Sequence, residues 1–161
     1  MPSHESQHTI EIYVHSDSGH DPDLVEVASD GRVKDLLSEG ESLWLEDTNE
    51  ALPDESSLPE AGIVRRTHVH RGHCPTVKVH VRHAGTDIHG EFSPATQVVR
   101  VFRWATGPKG FKLPEAQIPK HGFVLPGGDE LLDLRAHAGS LVSKIRCVVT
   151  IDLVPKERFA G

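Results

Sequence analysis

Aromatic side chains are scarce in this chain. They make up 5% of it, while 37% of the residues are hydrophobic, so any core must be small and aliphatic. Cysteine is nearly absent as well. Two cysteines, Cys74 and Cys147, do not make a disulfide framework. Cys147 lies in an apolar run and reads as a small buried hydrophobe. Cys74 precedes Pro75 between two strand-like runs and reads as partly exposed, with nothing nearby to mark it as a nucleophile. No apolar run approaches the ~20 residues needed to span a bilayer. Residues 1–8 are polar and carry no apolar signal core, which leads to the expectation of a cytoplasmic protein. No block of consecutive lysines and arginines appears either, and the net charge is -7. A binder of nucleic acid or of an anionic membrane needs a clustered basic face, so neither partner is expected. There is no GxSxG, no phosphate-cradling Gly-Lys-Ser/Thr loop and no HExxH.

What is present is a pattern that occurs twice. Thr9-Ile10-Glu11-Ile12-Tyr13-Val14-His15 alternates apolar and polar residues with period two, as a half-buried strand does. Asp17 to Pro22 is a turn cluster, and Leu24 to Val27 completes a hairpin. Ser29 or Asp30 can cap a helix that Gly40 ends, with Val33, Leu36 and Leu37 on one face. Ser42 to Asp47 reads as a third strand. Leu58 to Ile63 reads as a tight turn that buries Leu58 and Ile63, and Arg66 to Arg71 as a last strand. Thr76-Val77-Lys78-Val79-His80-Val81-Arg82 then copies the first strand position by position. A turn at Ala84 to Asp87 and a strand at Ile88 to Phe92 follow. Ser93 and Pro94 suit a helix start, and Thr96 to Ala105 carries Val98, Val101, Phe102 and Ala105 on one face. In the turn-rich stretch from Lys109 to Ser143, Phe123 to Leu125 and Leu131 to Leu134 are short strand candidates. Cys147 to Leu153 closes the second copy. Self-similarity at this scale points to a tandem of two units.

A hairpin, a helix across it and a last strand beside the first resembles the ubiquitin-like β-grasp. The sequence is similar to ubiquitin in the order and spacing of its elements, including Leu58 to Ile63 before the last strand, but not residue by residue. The expected fold class is α+β: two tandem β-grasp domains, each a mixed sheet with one helix packed across it. The expected organisation is a disordered leader at 1–8, domain 1 at 9–73, a short linker at 74–75, domain 2 at 76–154 and an extended C-terminal tail at 155–161. Two copies followed by Pro155-Lys156-Glu157-Arg158-Phe159-Ala160-Gly161 resemble the interferon-induced tandem ubiquitin-like modifiers of vertebrates. They resemble still more their bacterial counterparts in antiphage operons, which are encoded beside an activating enzyme, a conjugating enzyme and a deconjugating protease.

That resemblance implies a substrate of enzymes and not an enzyme. Gly161 would be the acyl donor, adenylated by an activating enzyme using ATP and magnesium and carried as a thioester to a conjugating enzyme. An isopeptide bond to a target protein would follow. The chain itself would hold no cofactor. Lys156, Glu157, Arg158, Phe159 and Ala160 would enter the enzyme channel. Ubiquitin-type tails usually end Gly-Gly, whereas Ala160 stands before Gly161 here. The alternative is a tandem adaptor that is never conjugated and whose sheets bind partner proteins.

The twelve histidines raise a third possibility, metal binding. His68, His70 and His73 with Cys74 form the tightest cluster, and His68 and His70 share one strand face as two zinc ligands might. No second pair at ligand spacing flanks them, and Val69 takes the inward position. His68 and His70 are therefore expected in solvent, with no metal. His80 and His89 are likewise expected on polar faces or near the domain junction.

Overall fold

The structure is a computed structural model that describes residues 8–17, 21–143 and 146–159. Residues 1–7 of the expected leader, and Ala160 and Gly161, lie outside the described residues.

The first half contains β1 (Thr9–Ser16), β2 (Asp23–Ala28), β3 (Ser42–Leu45) and β4 (His68–Gly72). They form one sheet in the order β2-β1-β4-β3. β1 is antiparallel to β2 and parallel to β4, and β3 is antiparallel to β4. The second half contains β5 (Val77–His83), β6 (Thr86–Phe92), helix α1 (Val98–Thr106), β7 (His121–Val124) and β8 (Val148–Pro155). Its sheet runs β6-β5-β8-β7 with the same pattern of parallel and antiparallel pairs. The repeat in the sequence is thus a repeat of sheet topology, giving two four-stranded mixed sheets and two β-grasp-like units.

Each unit has its own aliphatic core. Ile12, Val14, Val33, Leu43, Leu58, Ile63 and Val69 fill the first. Leu58 and Ile63 are each 1% exposed; the turn between them closes through Ile63 N–H donating to Leu58 O at 2.9 Å, with Gly62 at a positive φ of 84°. Val77, Val79, Val81, Val98, Val101, Phe102, Ala105, Phe123 and Ile151 belong to the second. Helix α1 presents the face that its spacing indicates, with Val98, Val101, Phe102 and Ala105 buried. Its first free N–H groups find partners in the later loop at 134–136. Val98 N–H donates to Ala136 O at 2.8 Å and Val99 N–H to Leu134 O at 2.9 Å, which satisfies donors that a helix start otherwise leaves open.

The structure departs from the sequence-based expectation in several places. Among the described residues the first unit has no α-helix across its sheet, only a single 3-10 turn at Val33–Leu36. The N–H groups of Val33 and Lys34 donate to Ser56 O and Asp54 O of the following loop, which ties the segment down before a longer helix can propagate. Helix α1 begins after Gln97 and not at Ser93-Pro94. Leu131 to Leu134 is not a strand; the Leu134 carbonyl serves the start of α1 instead. The expected extended tail is not extended at its base, where Lys156–Phe159 winds into one 3-10 turn.

The cysteines also differ from expectation. Cys74 and Cys147 form a disulfide, with Cα atoms 5.6 Å apart and a sequence separation of 73. Cys74 is buried, at 4% exposure, rather than partly exposed. The two are far apart in sequence, but β5 and β8 lie side by side and Lys78 N–H donates to Cys147 O at 2.9 Å. That pairing brings the start of β5 and the start of β8 together, and the bridge staples the second unit at its base.

Candidate functional site

Two regions carry candidate chemistry. The first is the exit of β8. Lys156, Glu157 and Arg158 are exposed. The turn they form borders a groove of about 570 Å³ lined by Gln117, Lys120, His121, Pro155, Lys156 and Glu157, among others. β8 lies between β5 and β7 inside the sheet, so the start of the tail is anchored to the middle of the second unit. The acyl-donor expectation falls on Gly161, with Ala160 beside it, and both lie outside the described residues.

The second region is the seam between the units, which the sequence reading did not find. Tyr13 pairs with His68 and His15 with His70 across the parallel β1 and β4, and Trp44 pairs with His70 across β3. These residues share the sheet face opposite Ile12, Val14 and Val69. That face is not open water. The short 3-10 turn Ala138–Leu141 of the second unit lies against β1, and His137 just before it reaches into the first unit. His70 and His137 are both 0% exposed and His15 is 5% exposed. The expectation that His68 and His70 stand in solvent is thus overturned for His70, because the second unit covers it. His68 keeps a side-chain exposure of 38%.

The contacts across the seam form a chain. Asp17 Oδ1 accepts from His70 Nε2 at 2.8 Å, His70 Nδ1 meets His137 Nδ1 at 3.2 Å, and His137 Nε2 meets Glu46 Oε2 at 2.9 Å. The rings of His15 and His137 stack with centroids 3.5 Å apart. His15 Nε2 meets His68 Nδ1 at 2.9 Å, and His68 Nδ1 lies 3.9 Å from Glu46 Oε2. Burial, then the neighbouring His15, His70 and His68 rings, pushes the His137 pKa down to about 2. Its contact with Glu46 is therefore a hydrogen bond of a neutral ring and not an ion pair. Burial, then His68 and His70, pushes His15 down to about 4. Burial raises the Glu46 carboxyl above its ordinary range, and the adjacent Asp47 adds to the effect. Asp17 moves the other way. Burial alone would raise it, but hydrogen bonds from His70 and from the His73 and Cys74 N–H groups outweigh that and lower it.

Two glycines permit this packing. A Cβ on Gly139 would lie 2.5 Å from His70 Nε2, and a Cβ on Gly72 would overlap the Asp17 carboxylate. Asp47 adds a second tie. It holds a positive φ of 63°, a conformation that aspartate tolerates better than most residues. Its N–H donates to Ala95 O at 2.9 Å, and its Oδ1 accepts from Gln97 N–H at 2.9 Å at the start of α1. A carboxylate of the first unit therefore sits where the α1 dipole favours negative charge.

Of the histidines and cysteine clustered in sequence, only His68 and His70 enter the seam. The His73 ring bonds Gly40 O at 3.1 Å, and Cys74 is in the disulfide. The missed members, His15, Glu46 and His137, are far from that cluster in sequence. The one signal available for them was that Tyr13, His15, His68 and His70 line a single face. His80 and His89 pair across β5 and β6 with ring centroids 4.2 Å apart, away from the seam.

The sheet order and the parallel contact between first and last strands place both units in the class of ubiquitin-like β-grasp structures. Residues 78–156, which run from β5 through β8, match the family model described as BilA ubiquitin-like domain 2. Over this stretch the second unit is similar to that domain. No curated protein matches the chain. No helix among the described residues is long and apolar enough to cross a membrane.

Proposed function

We propose that the chain is a ubiquitin-like modifier, joined through the Gly161 carboxylate to amines of target proteins, and that it works in bacterial antiphage defence in the cytoplasm. The observation that carries this reading is the match of residues 78–156 to a BilA ubiquitin-like domain. The exposed Lys156, Glu157 and Arg158 at the end of a central strand support it, because a reactive terminus needs a firm base and a free approach. In this reading the chain is a substrate and not a catalyst. A carboxylate oxygen of Gly161 attacks the α-phosphorus of ATP on a magnesium-dependent activating enzyme and pyrophosphate leaves. The enzyme's thiolate displaces AMP, and the resulting thioester passes to the cysteine of a conjugating enzyme. A target lysine amine then displaces that thiolate and loses a proton, leaving an isopeptide bond. A deconjugating protease cleaves the isopeptide bond with water, returning the Gly161 carboxylate and the free amine. The chain's own contribution is positioning, which can lower a barrier by several kcal/mol.

The test uses the full chain, its activating enzyme and ATP with magnesium. The expected result is a mass-shifted adduct that a reducing agent removes and that deletion of Gly161 abolishes. An adduct that persists without Gly161, or no adduct at all, contradicts the proposal and favours the adaptor that is never conjugated.

A further inference from the structure

We propose that His15, Glu46 and His68 form a binding site for a divalent transition-metal ion of the zinc class, set in the seam between the two units. Three donor atoms converge there, His15 Nε2, Glu46 Oε2 and His68 Nδ1, all within 4.8 Å of one another. Two imidazole nitrogens and one carboxylate oxygen are a donor set that zinc takes in sites with three protein ligands and an open position. The inference is independent of the conjugation reading and uses none of its residues.

Two donors come from adjacent strands and the third from the turn that follows β3. His15 is on β1 and His68 on the adjacent β4. Glu46 directly follows β3, and its N–H donates to His68 O at 3.1 Å, which ties the two ligands through the backbone. The His68 ring is further fixed by stacking on Tyr13, with centroids 4.5 Å apart. His137 of the second unit holds Glu46 Oε2 at 2.9 Å, the kind of outer contact that orients a ligating carboxylate. The two histidine nitrogens stand 2.9 Å apart. Tetrahedral zinc with bonds of about 2.0–2.1 Å needs ligand nitrogens about 3.3 Å apart, so a few tenths of an ångström of opening seats the ion. A cleft of about 360 Å³ borders the trio, lined also by Asp133 and Arg135. It gives the ion a route in and leaves room for water or another ligand at the fourth position.

The experiment uses the full chain, stripped with chelator and dialysed. Zinc is added in a calorimetric titration, and cobalt in a parallel titration followed by visible absorption. The expected result is one ion per chain and the intense bands of four-coordinate cobalt. Affinity should fall at least about 10-fold in His68→Gln and in Glu46→Gln. His73→Gln and His121→Gln, at exposed or rim histidines elsewhere, should bind as the wild type does. Ring-nitrogen NMR of the wild type needs no variant: zinc should move His15 Nε2 and His68 Nδ1 and leave His73 and His121 in place. No stoichiometric binding by the wild type, binding unchanged in both site variants, or zinc shifts confined to other histidines would each overturn the proposal. The trio would then be a hydrogen-bonded seam and nothing more.

Discussion

β1 and β5 occupy the same place in their two sheets, and each alternates an aliphatic residue with a polar one. On β5 the polar set is Lys78, His80 and Arg82, which face solvent in whole or in part, with Arg82 paired to Asp152 at 2.6 Å. On β1 the same positions hold Glu11, Tyr13 and His15, and His15 is buried beneath the second unit. Period two thus decides which side chains share a face, but what covers that face is decided elsewhere. A polar face open to water needs no internal partners. A polar face covered by protein must satisfy every donor and acceptor it buries, and the Asp17, His70, His137 and Glu46 chain does this. The units differ in a second way. The described part of the first has no covalent staple, and the second is closed by Cys74–Cys147.

The largest effect should come from opening that staple. Closing a loop of this length stabilises by about 4 kcal/mol in the chain-entropy account. Cys147→Ser, or reduction, should therefore lower the urea midpoint of probes in the second unit and leave probes in the first nearly unchanged. Equal loss in both units would show that the bridge serves the pair and not the second unit. The next effect sharpens the contrast between faces. His137→Ala removes the partner of His70 and Glu46 at a buried site, where stranding such groups costs about 2–3 kcal/mol. His80→Ala, on the open face of the second sheet, should leave the melting temperature within error. Similar losses in the two variants would erase the distinction. Gly139→Ala should cost about 1–3 kcal/mol by overpacking against His70, read as a lower melting temperature with shifted His70 ring resonances. The smallest of these effects belongs to Asp47→Ala. Loss of its hydrogen bond at the start of α1 should cost about 1 kcal/mol, visible as faster amide exchange in Val98 to Val101.

Much of the fold was legible because short-range physics writes it. The alternating aliphatics of β1 and β5, the tight turn that buries Leu58 and Ile63, and the apolar face of α1 are set by neighbours in sequence. The shortening of the expected first-unit helix to a single 3-10 turn was not legible, because the Val33 and Lys34 N–H groups are claimed by Ser56 and Asp54, twenty or more residues on. The disulfide was missed for a related reason: its halves meet only once β5 and β8 pair. The seam was least legible of all. His15, Glu46 and His137 are each unremarkable in sequence, and Gly139 shows its purpose only when His70 stands against it.

The central structural claim is that the second unit is docked on the polar face of the first, so that both move together and the tail leaves a fixed pair. Backbone ¹⁵N relaxation of the full chain tests this most directly. One rotational correlation time shared by the amides of β1 to β8, appropriate to the whole 161-residue chain, is the predicted result. Two different, shorter times, one for each unit, would contradict it.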